Sequence, residues 1–152
     1  MKREKHIVIA TDGSAGGGAA IDEGLALAES MEADVTFVSV RPAPSPVLGD
    51  PYYQRALARE LERSRAALAA AVGLAEERGV ECEAESLEGD PAEEIARFAR
   101  DRRADLVVVG SRGLGPFRGA VMGSVSSGVV RRAGRPVFVV RNRAAVPARS
   151  TA

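Results

Sequence analysis

Residues 106–132 read LVVVGSRGLGPFRGAVMGSVSSGVVRR: a four-residue apolar run, a glycine-rich stretch from Gly110 to Gly119, and a segment from about Ser124 to Arg132 with helical character. A short run that is apolar at every position suits a strand buried on both faces, and such strands belong to parallel sheets covered by helices. Glycines at both ends of the connection mark a strand-to-helix loop where the backbone must turn tightly or come close to a ligand.

The same grammar extends outward in both directions. His6 to Ala10, HIVIA, is a second doubly buried strand, ended by Thr11, Asp12, Gly13 and Ser14. Ile21, Leu25 and Ala28 follow at helical spacing from about Gly17 to Met31, and glycines 16 to 18 predict a late or loose start to that helix. Asp34 to Val40, DVTFVSV, is rich in β-branched residues and reads as a strand, closed by Pro42, Pro44 and Pro46. From Pro51 to Arg78 the chain is rich in Ala, Leu, Glu and Arg, with Leu57, Leu61, Leu68, Val72 and Ala75 on one face of a long amphipathic helix. Gly79 closes it, and Val80 to Leu87 alternates as a half-exposed edge strand does. Asp90, Pro91 and Glu93 supply a cap, a first-turn proline and an acid for a helix whose Ile95, Phe98 and Ala99 face inward. Pro136 to Arg141 reads as the last strand. Alternation of strand and helix predicts an α/β, doubly wound, open parallel sheet with helices on both faces, in one domain over residues 1–143 with a mobile tail at 144–152. In such sheets ligands lie beyond the carboxyl ends of the strands, so the loops after Ala10, Val40 and Val109 are the places for a site.

Composition narrows the partners. Lys plus Arg and Asp plus Glu both number 21, which removes the bulk positive field on which non-specific nucleic-acid binding relies. Arg131 and Arg132 complement the negative end of their helix, and no RNA-binding aromatic motif accompanies them or Arg135, Arg141 and Arg143, so no nucleic-acid partner is expected. The apolar run after the charged start is far too short for a signal peptide or membrane span, and the single cysteine, Cys82, suits a reducing compartment, so the expected place is the cytoplasm. Cys82 lacks a CxxC partner, and His6, the only histidine, sits at the wrong strand end for a Ser-His-Asp triad.

The chemistry lies in the glycines. Gly110, two residues, Gly113, nine residues, then Gly123-Ser124-Val125-Ser126 place glycine at both edges of a loop that opens a helix. There the unpaired N–H groups of the first turn and the positive end of the helix dipole favour an anion, and Ser124 and Ser126 add hydroxyls. The plainer alternative is a structural turn in which Ser124 only caps its helix. For Asp12 the alternatives are a site role or an Asx turn ending its strand. Arg112 and Arg118 either neutralise phosphate or are merely solvated.

These residues, VVVGSRGLGPFRGAVMGSVSSGVVRRAGRPVFVV, together with IVIATDGS and DVTFVSV, resemble the ATP-binding branch of the universal stress protein family from Lys5 to Val140. The resemblance implies a five-stranded sheet in the order 3-2-1-4-5 and a homodimer through the last strand, Pro136 to Arg141. It places Thr11 and Asp12 near ribose and phosphates at the end of the strand closed by Ala10, and Val40 beside adenine. Gly110 would meet the ribose, and Gly113, Gly123, Ser124, Val125 and Ser126 the phosphates, with Ser111 and Arg112 between them. Glycines 16 to 18 depart from the helix formers usual in the family. The ligand implied is ATP, or AMP or ADP, with Mg2+ held mainly through phosphates and Asp12 as a weak metal ligand. No P-loop, dinucleotide fingerprint, kinase signature or metal motif is present, and no nucleophile-activating residue stands out. Three readings follow: a nucleotide-binding regulatory stress-response protein, a slow ATPase or nucleotidyl-transferring enzyme using the same residues, and a nucleotide-free dimeric interaction module.

Overall fold

Ile7, Val8 and Ile9 have no solvent exposure at all, which no strand achieves unless it lies in the interior of a sheet covered on both faces. In the computed structural model, which describes residues 3–111 and 122–141, they form the middle of β1 (His6–Ala10), the central strand. The chain continues through α1 (Ala15–Met31), β2 (Asp34–Arg41), a 3-10 turn (Pro46–Leu48), α2 (Tyr52–Glu77), β3 (Cys82–Glu88), α3 (Pro91–Asp101), β4 (Leu106–Gly110), α4 (Ser124–Arg132) and β5 (Val137–Val140). All five strands are parallel, in the order β3-β2-β1-β4-β5. Fold class and strand order are those expected from the sequence; residues 144–152 lie outside the described residues.

Side chains that alternate along each strand divide the core in two. Ile7, Ile9, Val35, Phe37 and Val108 pack with Ile21, Leu25 and Ala28 of α1 and Leu68, Ala71 and Ala75 of α2. Val8, Val38, Val107 and Val109 pack on the other face with Ala92, Ile95, Ala96 and Ala99 of α3 and Val129 of α4. Close approach is bought with glycine at two crossings. A Cβ on Gly24 of α1 would lie 2.5 Å from Ile9 Cδ1, and one on Gly128 of α4 would lie 2.5 Å from Ala92 Cβ on α3.

Several element ends depart from the sequence pattern for local reasons. The first helix begins at Ala15 rather than near Gly17, because Ser14 Oγ accepts from Gly17 N at 3.2 Å and Ser14 O accepts from Gly18 N at 3.1 Å. These bonds offset the entropy cost of three glycines in the first turn. Strand β3 begins at Cys82 rather than Val80: Gly79 adopts φ +66, and Val80 N closes α2 by donating to Ala75 O at 2.9 Å. Asp90 caps α3 as read, accepting from Glu93 N at 3.0 Å with Pro91 in the first turn. Leu61, expected on the apolar face of α2, is 44% exposed. A 26-residue helix spans about 39 Å, whereas a strand of seven residues spans about 23 Å. The first residue of α2 to be buried is Ser64, so the turns before it overhang the carboxyl edge of the sheet.

At the opposite, amino edge, His6 Nε2 lies 2.8 Å from Thr36 Oγ1. Burial, reinforced by the Arg102 guanidinium, holds the imidazole below its usual pKa, against the opposing pull of a hydrogen bond to the Arg102 backbone and the carboxylates of Asp34 and Glu83.

Two outcomes follow for stability. Gly128→Ala is expected to cost about 1–3 kcal/mol by overpacking the α3–α4 crossing, less up to about 1 kcal/mol of regained helix propensity. Gly73→Ala in α2, where a Cβ meets nothing within 4 Å, should instead stabilise by up to about 1 kcal/mol; urea unfolding of both variants reads the contrast. For His6, the unfolded chain takes up a proton below about pH 6.5 more readily than the folded one, so folding stability is lost as pH falls through that value. Thermal melts at pH 7.5 and 5.5 should therefore show a larger drop for the wild-type chain than for His6→Gln.

Candidate functional site

Because every strand runs the same way, the ends of β1, β2 and β4 open onto one edge, and a cleft of about 130 Å3 lies there. Ala10, Val38, Val40, Val109 and Gly110 from the three strand ends line it. Pro91 and Ile95 of α3 close one side, Gly17 of α1 and Val125 of α4 bound the others, and Thr11 and Asp12 form the rim after β1. The walls are mainly apolar, and Asp12 is the one ionisable residue among the described residues lining the cleft.

The rim after β1 is held by its own backbone. Thr11 N donates to Val38 O at 2.9 Å, extending the β1–β2 ladder one residue, and leaves Thr11 6% exposed. Asp12 Oδ1 accepts from Ser14 N at 2.9 Å, an Asx turn that aims the chain into α1. Thus Asp12 both ends its strand through that turn and lines the cleft. Gly13 turns the corner at φ +79, with room for no more than contact with Ala67. A Cβ on Gly17 would lie 3.2 Å from both Asp12 Oδ1 and Thr11 Oγ1, so a glycine here lets the first turn of α1 come up against the rim.

The rim after β4 is built differently. Ser111 N donates to Val140 O at 2.8 Å, and Ser111 O accepts from Gly123 N at 2.6 Å, so the two ends of the intervening stretch are tied together at its neck. Gly123 is the N-cap of α4 and brings no side-chain oxygen, unlike Ser14 on α1 and Asp90 on α3. The first intrahelical donor is Ser127 N, to Gly123 O at 3.1 Å, so the helix itself supplies no acceptor for the N–H groups of Ser124, Val125 and Ser126. This is the end of a helix where negative charge is favoured.

Of the residues singled out from sequence, Ala10, Thr11, Asp12, Val40, Gly110 and Val125 line one cleft. Gly123 and Ser124 stand beside it at the cap and first turn of α4. Ser111 and Ser126 are buried behind the rim, at 5% and 1% exposure, with the Ser126 hydroxyl turned toward backbone carbonyls. Arg112, Gly113 and Arg118 lie outside the described residues. Gly17, Val38, Pro91, Ile95 and Val109 complete the wall without having been singled out for it. Val38 and Val109 were within reach of the pattern, since they adjoin Val40 and Gly110 on their strands. That α3 contributes its first turn is a matter of how it crosses the sheet, for which local sequence has no signal.

A larger depression, about 860 Å3, lies at the amino edge among Arg3, His6, Asp34, Cys82, Arg102 and Asp105. Size alone would favour it, but the helices end there rather than begin, and its Arg102 is already engaged by Glu83 at 3.5 Å and Glu85 at 3.3 Å. Burial, with the Glu76 carboxylate, pushes the Cys82 thiol above its usual pKa, the opposite of nucleophile activation. The carboxyl-edge cleft is the better site. Among the described residues no three His, Cys, Asp or Glu side chains gather to hold a metal, and no helix is long and apolar enough to cross a membrane.

Comparison with known proteins agrees with this fold. Residues 4–141 match the family described as "Universal stress protein family". The chain is 40% identical over 139 residues to a universal stress protein of Thermus aquaticus, covering 90% of this chain and 98% of the relative. Among solved structures, the universal stress protein UspA from Lactobacillus plantarum superposes with a TM-score of 0.82 at 25% identity, covering 93% of this chain and all (100%) of that one. A universal stress protein described as being in complex with cAMP superposes with a TM-score of 0.71 at 26% identity, over 90% of this chain and 96% of the other.

Proposed function

The chain belongs to the universal stress protein family, and from that membership we propose that it is a regulatory stress-response protein that binds an adenine nucleotide, ATP with Mg2+, in the carboxyl-edge cleft. The observation that carries the proposal is the cleft itself: apolar walls from Val38, Val40, Val109 and Ile95 beside the first turn of α4, whose N-cap, Gly123, brings no side chain. A flat base suits the former and a phosphate chain suits the latter. The complex of a 26% identical relative with cAMP, a cyclic adenine nucleotide, supports the ligand class. Thr11 and Asp12 stand at the ribose and phosphate side, Gly110 at the ribose, and Gly123, Ser124 and Val125 at the phosphates. Gly113 and Arg112 belong to the same reading.

The donors present fit a magnesium ion carried on the nucleotide. Mg2+ keeps several waters and is usually held by phosphates with one or two carboxylates, and Asp12 supplies one such carboxylate. Metal bound there would neutralise phosphate charge beside Asp12. Among the described residues lining the cleft, Asp12 is the one carboxylate, and the reading gives it to the metal, which favours holding the nucleotide over cleaving it.

A homodimer through β5 belongs to the same proposal. Among the described residues the strand pairs with β4 alone, and Phe138 is 41% exposed on it, an apolar edge that pairing with a second copy would cover. With one half-buried cysteine, the chain suits the reducing cytoplasm.

Isothermal titration with ATP, AMP and GTP, with and without Mg2+, tests the reading; saturable adenine-nucleotide binding is expected, and its absence would overturn it. Gly123 has φ −73 and ψ 169, which valine adopts without strain, so Gly123→Val should keep the fold while lowering ATP affinity more than tenfold, about 1.4 kcal/mol or more. Phe138→Asp should shift the sedimenting species to a monomer; a wild-type chain that sediments as a monomer at all concentrations would remove the dimer.

A further inference from the structure

We propose that the Ser126 hydroxyl is a positioning group that aims the first turn of α4 at the cleft, acting on bound phosphate through the backbone rather than by touching it; this rests on the nucleotide-binding reading above. Ser126 is 1% exposed, while its neighbour Val125 lines the cleft. Its Oγ donates toward Gly123 O at 3.0 Å and toward Ser111 O at 3.3 Å, one proton shared between two carbonyls. Ser111 O receives Gly123 N as well, and Ser111 N is bonded to Val140 O, so a continuous set of bonds runs from β5 through the end of β4 to the start of α4.

The consequence lies in the planarity of the peptide unit. In a trans peptide the C=O and the following N–H point in opposite directions. Holding Gly123 O inward, on Ser126 Oγ and Ser127 N, therefore turns Ser124 N–H outward from the start of the helix. Gly123 has no Cβ to restrict that peptide and no side chain to cap the turn, so the plane depends on the bonds its carbonyl accepts, from Ser127 N and from Ser126 Oγ. Ser126 supplies the pin from inside the helix, by the local side-chain-to-carbonyl bonding open to serine. Gly123 places no side chain over the N–H groups of the first turn, and the hydroxyl that keeps their orientation acts from the carbonyl side.

The test compares Mg-ATP with adenosine, which lacks phosphates, on the full chain by isothermal titration, for the wild type, Ser126→Ala and Ser126→Cys. Cysteine nearly preserves the volume but is a weak donor. Both variants should bind ATP about five- to tenfold more weakly, the change expected of one lost hydrogen bond, and adenosine within about twofold of the wild type. Equal ATP affinity in all three proteins overturns the proposal, as does a parallel loss of adenosine, which signals general damage to the cleft. Wild-type behaviour of Ser126→Cys with loss only in Ser126→Ala also overturns it, by assigning the effect to packing. If the wild type binds neither ligand, the nucleotide reading fails on its own, and amide exchange in the free protein still decides the pin. Faster exchange of the Gly123 and Ser127 amides in Ser126→Ala, with the rest of α4 unchanged, supports it, and unchanged exchange at both overturns it.

Discussion

The structure depends on the pairing of β1 with a parallel neighbour on each side. Ile7, Val8 and Ile9 are paired to Val35, Thr36 and Phe37 of β2 and to Leu106, Val107 and Val108 of β4, and no atom of that central run has access to water. Parallel pairing requires a return crossover between successive strands, so each helix runs back against the sheet and begins at the carboxyl edge. The placement of the cleft and the gathering of helix starts around it are consequences of that single constraint. The amino edge, where helices end, receives instead the paired charges around Arg102 and the neutral imidazole of His6.

Around the cleft, two rims solve the same problem in different ways. After β1, the polar groups satisfy one another: Asp12 receives Ser14 N and Ser14 caps α1. After β4, the cap is a glycine, and the stabilising bonds are moved behind the helix to Ser111 and Ser126. One rim is capped by its own side chains, and the other is held from behind its helix. That difference, set against apolar strand ends, suits a ligand with an apolar ring at one end and negative charge at the other.

Much of this was legible because the chain is locally consistent. The doubly apolar runs at residues 6–10 and 106–109 and the Asp90-Pro91 helix start each have one favoured physical meaning. Serine and aspartate were harder, since the same residue caps, turns or binds. Asp12 proved to make its Asx turn and line the cleft together, and Ser126 to face carbonyls from a buried position. The helical pattern at Leu61 was also read without knowing that α2 outruns its sheet.

By itself the sequence determined the parallel α/β class, the number and kind of elements and, through its likeness to a family, the strand order. These follow from period, turn chemistry and glycine placement, which act over a few residues. Only the tertiary structure decided that Pro91 and Ile95 wall the cleft, that Gly24 and Gly128 exist for close crossings, and which serine points where. Those depend on distances between segments far apart in the chain. The direction of a hydroxyl is set by whichever carbonyl the fold brings within reach.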